Sequence, residues 1–255
     1  MWILPDWPRP PNVHAVTTTR EGPSRSSYGF NVGTRCGDEP DAVAKNRTFV
    51  REVLRLPSEP CWLRQVHGAR VVSLDTPPQR GEGAGDQVVG REPEADAAVT
   101  HSPGMVLAIQ TADCLPVLFA AEDGSEIAAA HAGWRGLSAG VLENTLGAMR
   151  TPPSNIVAWL GPAIAAASYE VGGEVRDAFL SRDPAAASAF GATRPGHWTC
   201  DLYELARQRL RSVGVSCIAG GGFDTFTDPR LHSYRRDGAK SGRMVSLMWM
   251  ASSTS

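Results

Sequence analysis

Cys114, His131 and His67 are the residues whose types and spacing carry the most chemistry in this chain. Two imidazoles and one thiolate make a soft-to-borderline donor set that suits zinc, with bonds of ~2.0–2.3 Å. Three protein ligands leave a fourth coordination position open, which is the catalytic rather than the structural pattern. Cys114 and His131 flank an Asp123-Gly124 turn between two apolar runs, a strong hairpin signal. Folded about that turn, both lie at the open end of one hairpin, where opposite residues are only ~4.5–5.5 Å apart. His67 must join them from elsewhere, and Gly68 beside it lets the chain turn there without steric cost. The competing reading is a plain one. A single histidine at a strand end is most often a hydrogen-bonded structural residue, and a single cysteine in an apolar run is most often part of the core. Spacing alone leaves both readings open.

The elements that must position these residues are short. Strand-like runs, β-branched or apolar, cover Val13 to Thr18, Arg70 to Leu74, Met105 to Thr111, Leu115 to Ala120, Ile127 to Ala130, Ile156 to Leu160 and Met244 to Met250. Helix-like runs cover Pro40 to Leu54, Leu137 to Met149, Gly173 to Leu180 and Leu202 to Val213. Asp38 reads as the cap of the first helix, with Pro40 at an early helical position. The stretch 76–85 is too rich in Gly and Pro for a helix or strand, and no segment is long enough to be a domain linker. Strands and helices are interleaved without strict β-α-β alternation. The expected fold is therefore α+β (mixed α/β), a single domain over residues 1–255 built of packed mixed sheets flanked by helices.

Bulk properties exclude several classes. The 255 residues are 42% hydrophobic and 20% charged, an ordinary globular composition. The formal net charge is −2, from 25 basic and 27 acidic residues. The nearest basic cluster, Arg235-Arg236, is followed at once by Asp237, whereas nucleic-acid binding draws its affinity from a basic face. The start, Met1 to Pro8, lacks the basic head and apolar core of a secretory signal. No window approaches the ~20 apolar residues of a membrane span. A cytoplasmic protein without nucleic-acid or membrane partners is expected, and nothing calls for an obligate protein partner. The five cysteines are odd in number and form no Cys-x-x-Cys pair. That argues against a disulfide framework and makes most of them small buried side chains.

Other motifs carry less. Gly238-Ala239-Lys240-Ser241-Gly242 lacks the spacer of a phosphate loop, and Gly220-Gly221-Gly222 lacks the dinucleotide spacing; both read as turns. His14, His101 and His197 have no ligand partners near them in sequence.

Six blocks occur in order: Gln65-Val66-His67-Gly68; Ala95-Asp96-Ala97-Ala98-Val99-Thr100; Thr111-Ala112-Asp113-Cys114-Leu115-Pro116; His131-Ala132-Gly133-Trp134-Arg135-Gly136; Gly161-Pro162-Ala163-Ile164 with Tyr169-Glu170-Val171-Gly172; and Ser233-Tyr234-Arg235-Arg236-Asp237. Together they are highly specific. From about residue 12 to residue 250 the chain resembles the YfiH family, also called the multicopper polyphenol oxidase or laccase-domain family. The resemblance implies one zinc held by His67, Cys114 and His131. It also implies purine nucleoside phosphorylase activity on adenosine, inosine and methylthioadenosine, with adenosine deaminase as a second activity. Some bacterial members are described instead as peptidoglycan editing factors. The chain departs from the pattern at Asp224-Thr225, where Cys-Thr is expected, and at His232, where an aromatic is expected.

Deamination needs hydroxide at neutral pH, which zinc supplies by lowering the pKa of bound water to roughly 7. A carboxylate beside the metal would then carry the proton to the leaving amine. Asp113 is the candidate, and the alternative is that it only orders its turn. Phosphorolysis needs cations that hold phosphate near the anomeric carbon, a task for the planar fork of arginine. Arg47 and Arg135 are the candidates with Arg35 behind them, and Gln65 joins them as a substrate contact.

Copper oxidase chemistry fails on a count. It needs a His-Cys-His electron-transfer copper plus a cluster of further imidazole-bound coppers, and six histidines cannot furnish both. A thiol hydrolase, with Cys114 as nucleophile and His131 or His67 as base, uses the same three residues and would suit a peptidoglycan-editing role. Metal dependence separates the two readings. A non-catalytic interaction protein fits least well with so many titratable groups at one hairpin end.

Overall fold

The computed structural model describes residues 1–24, 26–76 and 92–251. Among these, the strands in chain order are β1 (Trp2–Ile3), β2 (Val13–Thr18), β3 (Val71–Ser73), β4 (Ala97–Thr100), β5 (Val106–Thr111), β6 (Leu115–Ala121) and β7 (Ile127–Ala132). They continue with β8 (Ile156–Leu160), β9 (Glu170–Gly172), β10 (Phe190–Ala192), β11 (His197–Cys200), β12 (Cys217–Gly220) and β13 (Met244–Met250). The helices are α1 (Pro40–Val53), α2 (Trp134–Ala139), α3 (Val141–Ala148), α4 (Gly173–Leu180), α5 (Leu202–Ser212) and α6 (Tyr234–Asp237).

The strands form two main sheets, packed face to face. One is antiparallel in the order β1-β2-β13-β5. The other is mixed, β12-β8-β6-β7-β4-β3, with its outer pairs β12/β8 and β3/β4 parallel. A small third sheet, β10-β11-β9, lies apart from them. The sequence of β6 explains the layering. All of Leu115–Ala121 is buried, so the strand reads as one apolar run because both faces are covered. Leu118 and Ala120 join Leu107, Ile109 and Met248 of the first sheet in one core. Val117 and Phe119 face the opposite way, into a core shared with Leu142, Phe179, Leu205 and Leu210 of the helices. On the far side of the first sheet, Val50 of α1 packs with Val16, Val106 and Leu247. The order of layers is thus helix, sheet, sheet, helices, and the expected α+β class is what the structure shows.

The differences from expectation are local. The run expected as one helix, Leu137 to Met149, is two helices, because Gly140 stands between them at φ 94°, a left-handed conformation glycine enters freely. The N-cap of α1 is Glu39, not Asp38. Asp38 instead accepts from the Glu39 N–H and from Ser26 Oγ, so it braces the preceding loop. Strands β1, β4, β9, β10 and β11 were not anticipated; they are too short for an alternating pattern to show. Apart from Thr76, the Gly- and Pro-rich loop expected at 76–85 lies outside the described residues.

His232, one of the two departures noted above, is fully buried and its Nε2–H donates to the Phe30 carbonyl at 3.1 Å. Burial pushes its pKa down to about 4; Arg20 and Arg243 add to this, while the Phe30 bond and Asp237 oppose it. Unfolded, the imidazole gains a proton as the pH falls below 6.5; folded, it does so only near 4. Stability should therefore be whole above pH 6.5 and decline as the pH drops to about 4, by up to about 3 kcal/mol from this residue. Urea midpoints at pH 7.5 and 4.5 check it. His232→Phe should show a flatter acid limb, and an unchanged pH slope in that variant would contradict the assignment.

Candidate metal centre and its cavity

The hairpin brings its two expected residues together. Leu115 pairs with Ala132 and Pro116 with His131, so Cys114 sits one step past the end of the ladder, beside the His131-Ala132-Gly133 segment. The Asp123-Gly124 turn closes the other end, with Gly124 at φ 72°. His67 arrives from the segment before β3, and the nitrogen and sulfur donors of His67, Cys114 and His131 lie within 4.8 Å of one another. The two imidazole rings meet edge to face at 4.8 Å between centroids.

What holds His67 there is Asp96, immediately before β4. Its carboxylate is completely buried and accepts from the backbone N–H groups of Val66 (3.2 Å), His67 (2.9 Å) and Gly68 (2.7 Å). It also accepts from His131 Nδ1 at 2.8 Å. Burial alone would push this carboxyl up, but His131 and the Gly68 and Val66 amides outweigh it and hold the group ionised below its usual range. One carboxylate therefore positions two of the three donors. With Nδ1 of His131 bonded to Asp96, Nε2 is turned to the centre, the arrangement in which an outer carboxylate orients a metal-binding imidazole. Sequence reading passed over Asp96 because it marks no turn, cap or ligand spacing.

Cys114 is the electrostatic counterpart. Burial pushes its thiol up, yet the charge and hydrogen bond of His131, with those of His67, bring it down to about 6. In return, burial lowers His131 but the Cys114 thiolate and Asp96 raise it to about 9. The negative charge on Cys114 and the positive charge on His131 thus favour one another. Two of the three non-glycine residues with positive φ among the described residues are here, His67 at 61° and Asp113 at 86°. Such strain persists only where surroundings over-determine it. For His67 the restraint is Asp96. For Asp113 it is Thr225 Oγ1 on one carboxylate oxygen (2.6 Å), the Arg235 N–H on the other (2.6 Å), and the Ile164 N–H on its carbonyl.

The donors fit a single ion with an open position. Tetrahedral bonds of ~2.0–2.3 Å imply donor separations of roughly 3.3–3.8 Å, inside the 4.8 Å within which the three donors lie. Gly133 leaves the necessary room: a Cβ there would stand 2.8 Å from Cys114 Sγ and 3.1 Å from His67 Cδ2. Its φ of −68° is open to alanine, so the objection to a side chain is steric alone. Gly133→Ala should fold and lose at least about tenfold in metal affinity, because displaced ligands are costly even at sub-ångström scale. Equilibrium dialysis against a chelator, beside wild type, reads this directly; equal metal retention would refute it.

The centre opens into a cavity of about 450 Å³, within the usual range for a small-molecule site. Of the expected substrate residues, Gln65, Asp113, Arg135 and Arg35 line it. Gln65 uses both ends of its amide on the backbone of Gln110, at 2.8 Å each, and so fixes the His67 segment to β5. Arg35 is paired with Glu92 at 2.5 Å. Arg47 is not on the cavity wall; its guanidinium lies 3.7 Å from the centroid of the Trp62 ring and donates to the Val32 carbonyl. Thr111, Tyr169, Tyr234, Arg235 and Arg243 line the cavity without having been singled out as site residues, since nothing local sets them apart. Asp224 is bound to Ser168 and Thr227 away from it, and His232 is likewise off the wall. The remaining histidines are engaged elsewhere: His14 stacks on Trp249, His101 faces Asp75, and His197 meets the Pro195 carbonyl.

Sheet-on-sheet layering with a His-Cys-His centre at one hairpin end defines a class of mixed α+β proteins with one potential mononuclear metal site. Within that class, the chain belongs to the YfiH family: the family model described as multi-copper polyphenol oxidoreductase laccase matches residues 13–251. It is 51% identical to a Xylella fastidiosa (strain Temecula1) protein named purine nucleoside phosphorylase, over 98% of this chain and 97% of that one. It is 47% identical to purine nucleoside phosphorylase YfiH of Escherichia coli (strain K12), over 97% of this chain and 98% of that one. Among solved structures, the Neisseria meningitidis protein NMB0706 superposes with a TM-score of 0.89 at 44% identity, covering 98% of this chain and 99% of its own. YlmD from Geobacillus stearothermophilus superposes with a TM-score of 0.83 at 29% identity, covering 95% and 93%. No helix among the described residues is long and apolar enough to cross a membrane.

Proposed function

We propose that this chain is a zinc-dependent purine nucleoside phosphorylase. It would split adenosine, inosine and methylthioadenosine with phosphate into free base and pentose 1-phosphate, and would also deaminate adenosine. The observation that carries the reading is the convergence of His67, Cys114 and His131 on a cavity of ligand size. The names of the relatives at 43–51% identity support the phosphorylase activity. When bound, zinc would supply a hydroxide at neutral pH and a positive charge beside the reacting atoms.

The protein's own residues do the positioning. Asp96 keeps the Nε2 of His131 and the His67 segment aimed at one point. Asp113, beside Cys114 on the cavity wall, is the carboxylate placed to take the proton of an attacking water and return it to the departing amine. Thr225 and the Arg235 amide each take one acceptor position on its two oxygens and leave lone pairs free for that proton. Arg135, four positions past a proposed ligand, brings a charge that no carboxylate among the described residues neutralises.

The test is to purify the protein without added metal, measure its zinc by elemental analysis, and follow adenosine with phosphate by chromatography. About one zinc per chain, with adenine or inosine formed, supports the reading. A metal-free protein that yields no purine product would sink it and favour the thiol-hydrolase alternative, for which His131 and His67 lower the Cys114 thiol pKa.

A further inference from the structure

Four arginines line the metal cavity, against one carboxylate, Asp113. Both oxygens of that carboxylate are already engaged. Among the described residues only the guanidinium of Arg35, of the four, has a carboxylate partner. Arg135 rests on the neighbouring Trp134 ring. Arg235 touches the Tyr169 ring and the Glu170 carbonyl. Arg243 touches the Tyr234 ring and donates through Nη1 to the Ser241 and Gly242 carbonyls. These contacts aim the guanidinium groups without neutralising them.

Thr111 adds an independent sign. Its side chain is 1% exposed, its hydroxyl has no hydrogen-bond partner, and the residue lines the same cavity. A buried hydroxyl without a partner costs free energy unless something supplies one. The fold gathers these groups around one turn. Thr111 pairs with Met244 at the end of the β5/β13 ladder, so Arg243 falls beside that end. Two residues on, Asp113 holds the Arg235 backbone, and Cys114 follows.

We infer that Arg243, Arg235 and Thr111 form an oxyanion subsite that binds inorganic phosphate beside the metal centre. The inference rests on the phosphorylase reading and supplies the site of its second substrate. Arg47, buried against Trp62, takes no part. A tetrahedral dianion matches the planar forks of two arginines and accepts from the threonine hydroxyl.

The experiment uses the full-length, metal-loaded protein. Inorganic phosphate is titrated calorimetrically into wild type, Arg243→Met, Arg235→Met and Thr111→Val, and the phosphate and adenosine KM values are measured beside it. Loss of one charged bond predicts phosphate binding weaker by about 10–100-fold in each arginine variant, a smaller loss in Thr111→Val, and adenosine KM changed less than about twofold. Circular dichroism and metal content identify any variant that misfolds, and three variants at separate positions keep the test decisive. Phosphate affinity and phosphate KM unchanged in both arginine variants would overturn the subsite while leaving the phosphorylase reading intact. Phosphate binding that is lost in the variants, in a protein releasing no base, would uphold the subsite and defeat the phosphorylase reading. Adenosine 5′-monophosphate is titrated in parallel. If it binds more tightly than phosphate and loses that affinity in the same variants, the anion is carried on a nucleotide and free phosphate is the wrong ligand.

Discussion

Cys114→Ala should leave a folded protein with less than about a tenth of the wild-type metal content and activity reduced at least about 10³-fold, since the open-site chemistry depends on the bound ion. The side chain removed is small and lies at a strand end, so the thermal midpoint without metal should move little. The reason for so large an effect from one atom is electrostatic. The sulfur is the one anionic donor of the three, and His131 and His67 already stabilise its charged form. Alanine leaves two imidazoles and no anionic donor, one ligand short of the open three-ligand pattern. Elemental analysis and the chromatographic assay on the same preparation separate the possible roles of the thiolate. Metal retained with activity lost would mean that the sulfur acts as a nucleophile and not as a ligand. Cys114→Ser, which keeps a weaker oxygen donor, should fall between alanine and wild type in metal content.

Asp96→Asn should be the most damaging substitution for stability at the site, at about 3–5 kcal/mol, the cost of breaking a buried charge arrangement from one side. Asparagine is nearly the same size, so packing is not the cause. The carboxylate receives four N–H groups, three from the Val66–Gly68 backbone and one from His131. An amide would turn an N–H group of its own toward some of those donors. Metal affinity should fall by about 10–100-fold as well, because the two histidines lose their common anchor. The pH dependence carries the same sign. The folded pKa of Asp96 is depressed, so its contribution is present above the ordinary value of 3.8 and is lost as the pH falls below it. Chemical denaturation of both proteins at pH 7 and pH 2.5 should show the gap between them narrowing in acid. A wild-type-like midpoint for Asp96→Asn at pH 7 would show that the carboxylate is not the organising group.

Some of this was legible in the residues alone. The apolar runs of β5, β6, β7, β8 and β13 were found within one or two residues, because strand burial leaves its mark on consecutive positions. The Asp123-Gly124 turn set the register that places Cys114 beside the His131 segment, since a tight turn fixes the pairing of the strands it joins. The three donors followed from residue type, local spacing and the family's ordered blocks. The short strands β9, β10 and β11 escaped, because three or four residues hold too little alternation to separate strand from loop. The break at Gly140 escaped because the apolar pattern continues straight across it.

What the sequence by itself determined is the pairing of Cys114 with the His131 strand and the layered α+β class, both products of interactions between chain neighbours or across one turn. Only the tertiary structure decided that Asp96 sits beneath both histidines, that Arg235 and Arg243 reach the cavity, and that Arg47 turns away to stack on Trp62. The reason lies in range. Turn chemistry and burial period act over a few residues and are written locally, whereas a buried charge is stabilised by whichever distant N–H groups the packed sheets happen to aim at it.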